Sequence, residues 1–197
     1  MNVIFDLGGV VFDWQPQALV QRVYNDPKTE SLVLEQIIGH ADWIELDRGT
    51  LALEDAISRG ASRTGLPGQE IARLFAAVPA SLTPIDATIR LLHKLHNNHS
   101  LYVLSNMHLE SADYLEASHD IWRLFDGVVF SCRIKEIKPE PGIYAHLLDE
   151  HQLVPAETVF IDDLQENLDA ASAFGIRTVH FVDPAQCRTD LKDMNCL

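Results

Sequence analysis

The chain has 197 residues, 47% of them hydrophobic, and 29 acidic against 15 basic side chains give a formal charge of −14. This length and hydrophobic content predict a packed core rather than a disordered chain. The acidic balance argues against binding to nucleic acid or to an anionic membrane surface, because both need a basic face. A small anionic substrate stays compatible, because a metal ion and local cations reverse the field inside a pocket.

The predicted elements alternate between strands and helices. Five short runs, rich in β-branched and aromatic residues, are typical of buried strands: 2–5, 101–104, 127–130, 158–161 and 177–182. Helical periodicity separates the later runs, over 84–97, 142–151 and 165–174. The alternation predicts an α/β fold, a Rossmann-like doubly wound parallel sheet with helices on both faces.

The long interval between the first two predicted strands has a different sequence pattern. Its patterns predict helices over 17–24, 30–38, 53–64 and 68–78, broken at Pro27, Gly49 and the cluster 65–68. We therefore predict a small α-helical cap over residues 15–82, inserted after the first strand. The remaining segments, 1–14 and 83–197, form the predicted α/β core.

Acidic residues end two of the predicted strands. Asp6 closes the first strand and is followed by Gly8 and Gly9, which places the carboxylate at the mouth of the fold as a nucleophile or metal ligand. Asp162 and Asp163 close the strand 158–161, and such a pair favours a divalent cation, with Mg²⁺ the ordinary choice. The alternatives are a turn-forming Asp6 and a pair that divides between solvent and a helix cap. Asn167, on the following helix, can orient a ligand.

Polar residues also follow the second strand and precede a predicted helix. Ser105 and Asn106 suit phosphoryl oxygens, although both are also common helix N-caps. Lys138, before Pro139, can point inward and neutralise a carboxylate and a phosphate, or it can simply be solvated. Because the carboxyl ends of parallel strands share one crevice, we expect these residues and the acids to form one site.

Two features of the predicted cap and its entrance carry weaker signals. Arg48 lies in the segment WIELDRG, where it can reach the polar part of a substrate from a cap loop or form a surface ion pair. In the second case Trp43 packs in the cap core. Trp14 and Trp122 are interpreted as packing residues.

Taken in this order, the motifs resemble those of the haloacid dehalogenase-like hydrolase superfamily. They are FDLGGV at Asp6, LSN at Ser105, KPEPGIY at Lys138 and FIDDLQEN at Asp162. The resemblance covers nearly the whole chain. Within the superfamily, the chain is most similar to the branch that contains alpha-D-glucose-1-phosphate phosphatase and the phosphatase domain of soluble epoxide hydrolase. It implies that Asp6 attacks phosphorus and forms an aspartyl-phosphate, which water then hydrolyses. It also implies that Mg²⁺ is held by Asp6, the carbonyl of Gly8 and Asp163, with Asp162 assisting.

The resemblance further implies that Ser105 and the backbone of Asn106 bind the phosphoryl oxygens, and that Lys138 stabilises the charge of nucleophile and phosphate. We therefore expect a Mg²⁺-dependent phosphatase of a small phosphorylated metabolite, with a sugar phosphate as the first guess. We expect a cytoplasmic protein, because no leader and no membrane span is recognisable. We expect it to be a monomer or a homodimer.

One position departs from the family pattern. The usual general acid, an aspartate two residues after the nucleophile, is replaced by Gly8, and Asp13 could substitute for it through water. Two alternatives stay open. One is a metal-independent 2-haloacid dehalogenase, and the other is a catalytically silent member that binds a phosphorylated ligand or a protein.

Overall fold

The computed structural model describes residues 1–197 and contains seven strands and eleven α-helices. The strands are β1 Asn2–Phe5, β2 Phe12–Asp13, β3 Thr83–Pro84, β4 Ser100–Ser105, β5 Gly127–Phe130, β6 Thr158–Asp162 and β7 Arg177–His180. The helices are α1 Pro16–Tyr24, α2 Pro27–Val33, α3 Ala41–Arg48, α4 Leu53–Thr64, α5 Gly68–Ser81, α6 Asp86–His96, α7 Leu109–Ser118, α8 Ser131–Ile134, α9 Pro141–Glu150, α10 Gln165–Ala173 and α11 Pro184–Asp193. A π-helical segment, Leu34–Ile38, continues α2, and 3-10 helices cover Asp120–Leu124 and Pro155–Glu157.

Five strands form one parallel sheet in the order β5-β4-β1-β6-β7. The chain first moves from β1 outward through β4 to β5, and then crosses to the other side of β1 for β6 and β7. A parallel sheet opens a crevice at the carboxyl ends of its strands where the direction of winding reverses. Here that crevice lies at the end of β1, between the ends of β4 and β6.

Alternating side chains of the strands bury two separate apolar layers. Val3 and Phe5 of β1 pack with α6, α7 and α11 on one face, whereas Ile4 packs with α9 and α10 on the other. Both faces are covered because the side chains of a strand alternate across the sheet. The fold class predicted from the sequence is therefore confirmed. None of the helices combines the length and the apolar character needed to cross a lipid bilayer.

Residues 16–81, here called the helical segment, contain α1 to α5 and bury a third apolar cluster of their own. Its centre includes Ile71 and Leu74 of α5, both fully buried. The short strands β2 and β3 pair antiparallel at the two points where the chain leaves and re-enters the sheet layer. Trp14, next to β2, packs against this cluster and against the larger cluster under the sheet.

The five predicted strands are confirmed, but the predicted start of the helix 30–38 is wrong. The chain turns into α2 at Pro27, since the Asp26 carboxylate accepts a hydrogen bond from the Thr29 amide at 2.9 Å. Proline is favoured at the first helical position, where its missing N–H costs nothing. The residue taken as a breaker therefore begins the helix.

Three helices, α3, α8 and α11, lie outside the elements predicted from the sequence. The prediction places Arg48 of the α3 segment on a cap loop, whereas the structure places it at the end of a helix of eight residues. A start signal was present for α11, where Asp183 precedes Pro184 and its carboxylate accepts hydrogen bonds from the amides of Ala185 and Gln186.

We expect Leu74→Ala to lower the free energy of unfolding by about 2–5 kcal/mol, because it opens a cavity among fully buried side chains. The measurement is urea denaturation followed by circular dichroism. The matched control is Leu109→Ala, at a leucine that is 49% exposed, with an expected change below about 0.5 kcal/mol. Equal losses in the two variants would contradict the burial of this cluster.

Candidate active site

Asp6 directly follows β1 and begins a tight turn. Its amide donates to the carbonyl of Ile161 at 2.9 Å, so the residue is still held against β6. Gly9 has a φ of +77°, and a Cβ atom there would stand 2.6 Å from Oδ2 of Asp163. Only glycine adopts this conformation without strain and leaves room for the carboxylate. The turn after Asp6 therefore lets Asp163 approach the end of β1.

Asp162 is fully buried at the end of β6 and its oxygens are already engaged. Oδ2 accepts a hydrogen bond from Nζ of Lys138 at 2.6 Å, and Oδ1 accepts one from the Leu164 amide at 2.8 Å. The side-chain amide of Asn167 donates to both oxygens, at 3.0 and 3.1 Å. Asn167 therefore contacts an acid of the site, and its role in orienting a ligand stays a prediction.

The carboxylates of Asp6, Asp162 and Asp163 form one group, here called the carboxylate cluster, with oxygen atoms within 4.8 Å of one another. Nζ of Lys138 bridges two of them, because it also lies 2.9 Å from Oδ1 of Asp6. The carboxylate of Asp163 receives no hydrogen bond from another side chain and forms no ion pair, whereas its backbone carbonyl lies 3.0 Å from Nε2 of His180. When all groups are ionised, three negative charges face one positive charge. This donor set fits a hard divalent cation bound through oxygen.

The pKa values of the groups in this cluster are shifted in the directions expected from the shortage of positive charge. Burial raises the pKa of Asp6 to about 7, Asp162 and Asp163 add to the rise, and Lys138 opposes it. Burial and the neighbouring Asp162 likewise raise the pKa of Asp163. For Lys138, burial disfavours the ammonium, but the two carboxylates outweigh it and raise its pKa. The cluster therefore holds its lysine charged and favours the arrival of further positive charge.

Ser105 and Asn106 end β4, beside the carboxylate cluster. Asn106 exchanges two hydrogen bonds of 2.9 Å with the backbone N–H and C=O of Lys138, so its side chain fixes the lysine loop. The Ser105 hydroxyl is buried and has no partner. Neither residue caps α7, whose N-cap is His108, and the capping alternative is therefore wrong. A buried hydroxyl without a partner at this edge suits an anionic ligand.

A cavity lies between the helical segment and the residues that follow β1 and β4, where Gly8 and Asn106 line it and the acids of the carboxylate cluster do not. Its empty space of about 370 Å³ includes part of the open solvent. Half of its lining is apolar: Trp14, Trp43, Val78, Leu82 and Met107. Trp14, interpreted as a packing residue, therefore also faces the cavity. Gly8 lines the cavity too, and a Cβ atom on it would meet only the Cβ of Trp14, at 3.9 Å. Space is thus left where the family's second aspartate would stand.

Arg48 is not brought to the carboxylate cluster and does not line the cavity. It ends α3 and donates two hydrogen bonds of 2.6 Å to Glu140, which precedes α9 in the sheet layer. Next to it, Gly49 has a φ of +79°, and a Cβ atom there would fall on the carbonyl of Cys132. The end of α3 therefore lies with its backbone directly against α8. Binding of substrate by Arg48 stays a prediction.

Sequence reasoning missed one polar group at the cavity wall. His108 is 3% exposed; its Nδ1 lies 3.2 Å from Oδ1 of Asp47, and its Nε2 lies 2.9 Å from the Ser111 hydroxyl. All three residues line the cavity. The motif LSN is followed at once by Met107 and His108, but nothing in the sequence shows that Asp47, from the helical segment, meets this histidine. Asp13 does not line the cavity and accepts a hydrogen bond from Gln15.

We expect Gly9→Ala to weaken Mg²⁺ binding about 10–100-fold in Kd, the usual effect of displacing a group that orders a metal site. The reason is that the added Cβ pushes the Asp163 carboxylate away. Isothermal titration of the purified chain with MgCl₂ measures the change.

The matched control for this variant is Gly65→Ala. Gly65 also has a positive φ, +73°, but no atom lies within 4 Å of the added Cβ. Both variants carry about 1–2 kcal/mol of backbone strain, so only a local effect on Asp163 separates them. Equal Mg²⁺ affinities in the two variants would speak against Asp163 as a ligand.

Comparison with known proteins gives the same family as the motifs. The family model described as haloacid dehalogenase-like hydrolase matches residues 52–181. Among curated proteins, the sesquiterpene phosphatase astK of Aspergillus oryzae is 32% identical over 192 residues, covering 97% of this chain and 94% of that protein. Bifunctional epoxide hydrolase 2 of Rattus norvegicus is 40% identical over 68 residues, which are 34% of this chain and 12% of that protein.

Solved structures share the fold. The wild-type family enzyme bt-2542 from Bacteroides thetaiotaomicron, in complex with magnesium and inorganic phosphate, aligns with a TM-score of 0.70 and 21% identity. The alignment covers 90% of this chain and 92% of that one. The resemblance drawn from the motifs is therefore confirmed, and the chain belongs to the haloacid dehalogenase-like hydrolases.

Proposed function

We propose that the chain is a Mg²⁺-dependent phosphatase that hydrolyses a small phosphate monoester through an aspartyl-phosphate on Asp6. The observation that carries this proposal is the carboxylate cluster bridged by Lys138 at the carboxyl ends of β1 and β6. The phosphatase named among the relatives and the magnesium and phosphate complex among the solved structures support the same chemistry.

Each group of the site has a role in this proposal. Oδ2 of Asp6, which is free of Lys138, attacks phosphorus while Lys138 holds the other oxygen in place. The Ser105 hydroxyl and the backbone N–H of Asn106 donate to the phosphoryl oxygens, and Lys138 offsets the negative charge of these oxygens. Fixed donors of this kind stabilise the charge that spreads over a transferring phosphoryl group. Water then hydrolyses the aspartyl-phosphate and regenerates the Asp6 carboxylate.

We assign the Mg²⁺ ligands to Asp6, Asp163 and the Gly8 carbonyl, with Asp162 assisting. Asp163 suits this role because no other side chain occupies its carboxylate, whereas both oxygens of Asp162 are already engaged. When bound, the metal supplies the positive charge that lets an anionic nucleophile approach an anionic phosphate.

The helical segment acts in this proposal as the cap over the site and chooses the leaving group. Trp43 and Val78 of this segment, together with Trp14 just before it, give one side of the cavity an apolar surface that favours an alcohol with a hydrocarbon body. The relative named a sesquiterpene phosphatase agrees with this class of alcohol. The sugar phosphate expected from the sequence is the second candidate, with Arg48 as its polar contact if the pair with Glu140 opens.

Two other activities are less well supported. A metal-independent 2-haloacid dehalogenase would leave the negative charges of the carboxylate cluster uncompensated in a buried site, which is costly. Chloride release from 2-chloropropionate in the presence of EDTA would favour it. A catalytically silent binding protein would keep the Ser105 and Lys138 groups but hydrolyse no phosphate ester.

The test is release of inorganic phosphate from p-nitrophenyl phosphate by the purified chain. We expect activity with MgCl₂, none with EDTA, and a fall in kcat of at least about 10³-fold in Asp6→Asn, because the nucleophile is lost. Asp13→Asn is the matched control, since Asp13 lies outside the cavity, and it should keep its activity. An Asp6→Asn variant as active as the unmodified chain would refute the mechanism.

The substrate class is tested by comparing kcat/KM for farnesyl phosphate and glucose 1-phosphate. We expect the farnesyl ester to be preferred at least about 100-fold, since each buried CH₂ contributes about 0.8 kcal/mol. A higher kcat/KM for glucose 1-phosphate would instead favour sugar phosphates as the substrate class.

A further inference from the structure

We propose that His108, held by Asp47, gives a proton through the Ser111 hydroxyl to the leaving oxygen of the phosphate ester and takes one back from the attacking water by the same route. This inference rests on the proposed phosphatase function. It fills the role that Gly8 leaves vacant, because Gly8 and His108 line the same cavity and the glycine offers no acid.

The hydrogen bonds of His108 define which nitrogen can transfer the proton. Nδ1 lies 3.2 Å from the Asp47 carboxylate, which can only accept, so Nδ1 carries a hydrogen. Nε2 lies 2.9 Å from the Ser111 hydroxyl, which donates to it when the ring is neutral. Nε2 is therefore the nitrogen that gains and gives up a proton. A carboxylate on Nδ1 fixes the tautomer and stabilises the imidazolium, as in other hydrolases.

The position of His108 is fixed from both layers of the fold. It is the N-cap residue of α7, in the short segment between β4 and that helix, and its carbonyl accepts from the amides of Ser111 and Ala112. On its other side the Trp43 ring stands edge-on, with centroids 5.7 Å apart and planes at 82°. The imidazole therefore has one orientation, with its edge at the cavity wall.

Asp47 comes from α3 and is anchored independently of its carboxylate. Its backbone carbonyl accepts a hydrogen bond from the Ser131 hydroxyl, which in turn accepts one from the Met107 amide at 2.9 Å. The helical segment thus delivers the carboxylate to His108 through a backbone contact. A substitution of the Asp47 side chain leaves that contact in place.

The proton balance of both steps is closed. In the first step Asp6 attacks phosphorus and the bond from phosphorus to the leaving oxygen breaks. Nε2–H of the imidazolium passes its proton to the Ser111 hydroxyl, which gives its own proton to the alkoxide and so forms the alcohol. In the second step the Ser111 hydroxyl gives its proton to neutral Nε2 and takes one from water, and the hydroxide cleaves the aspartyl-phosphate. The products are inorganic phosphate, the Asp6 carboxylate and the imidazolium with which the cycle began.

The experiment compares His108→Gln with the unmodified chain on two esters of similar size and different leaving group. Benzyl phosphate releases a strongly basic alkoxide that needs a proton, whereas p-nitrophenyl phosphate releases a weakly basic phenolate. We expect kcat/KM for benzyl phosphate to fall about 10²–10⁴-fold and that for p-nitrophenyl phosphate to fall less than about tenfold. The ratio kcat/KM is used because it covers substrate binding and the first chemical step, and excludes the later hydrolysis of the aspartyl-phosphate.

Asp47→Asn is the second variant, since it keeps a hydrogen-bonding partner for Nδ1 but removes the charge. Its kcat/KM should again fall more for benzyl phosphate than for p-nitrophenyl phosphate, but the difference should be smaller than in His108→Gln. Glu140→Gln is the matched control, because it weakens the contact between the helical segment and the sheet layer without touching the cavity. Any loss it causes should be equal for the two esters.

Losses in His108→Gln that are equal for the two esters, or no loss at all, would overturn the role of His108. The activity of the unmodified chain on p-nitrophenyl phosphate decides the proposed function separately, so the two failures are distinguishable.

Discussion

A buried ammonium group between two carboxylates, at the point where adjacent parallel strands end, is the interaction on which the site depends. Lys138 holds Asp6 and Asp162 at 2.9 and 2.6 Å, and all three side chains are almost excluded from solvent. Breaking such a pair leaves an uncompensated buried charge, which typically costs about 3–5 kcal/mol. The Asn106 side chain clamps the lysine backbone, so the end of β4 fixes the cation that the ends of β1 and β6 require.

The chemistry divides between the two layers of the molecule. The sheet layer supplies the nucleophile, the metal ligands and the groups for the phosphoryl oxygens in our proposal. The helical segment supplies the apolar wall and, through Asp47, the charge beside His108. The two meet at the end of α3, where Arg48 pairs with Glu140 and the backbone of Asp47 contacts Ser131. In our proposal, protonation of the leaving group therefore depends on the position of α3 against the sheet layer.

The sequence was sufficient for the fold and for the carboxylate cluster, because both follow from local patterns. Short apolar runs that end in Asp6, Ser105 and Asp162 identify strands and place their ends at one edge by parallel geometry alone. The role of Gly9 was harder to foresee, since it depends on the approach of Asp163, which is 154 residues away. Asp47 and His108 are 61 residues apart and in different layers, so no periodicity or spacing connects them.

The contact between Gly49 and the Cys132 carbonyl has an implication for protein engineering. Because no side chain fits at this junction, α3 meets the sheet layer backbone to backbone, and its seat tolerates little change in shape. Grafting a foreign lid from a relative onto this scaffold would have to reproduce that junction as well as the apolar wall. A chimera that copied only the residues facing the ligand would be expected to bind a new alcohol and yet turn it over slowly.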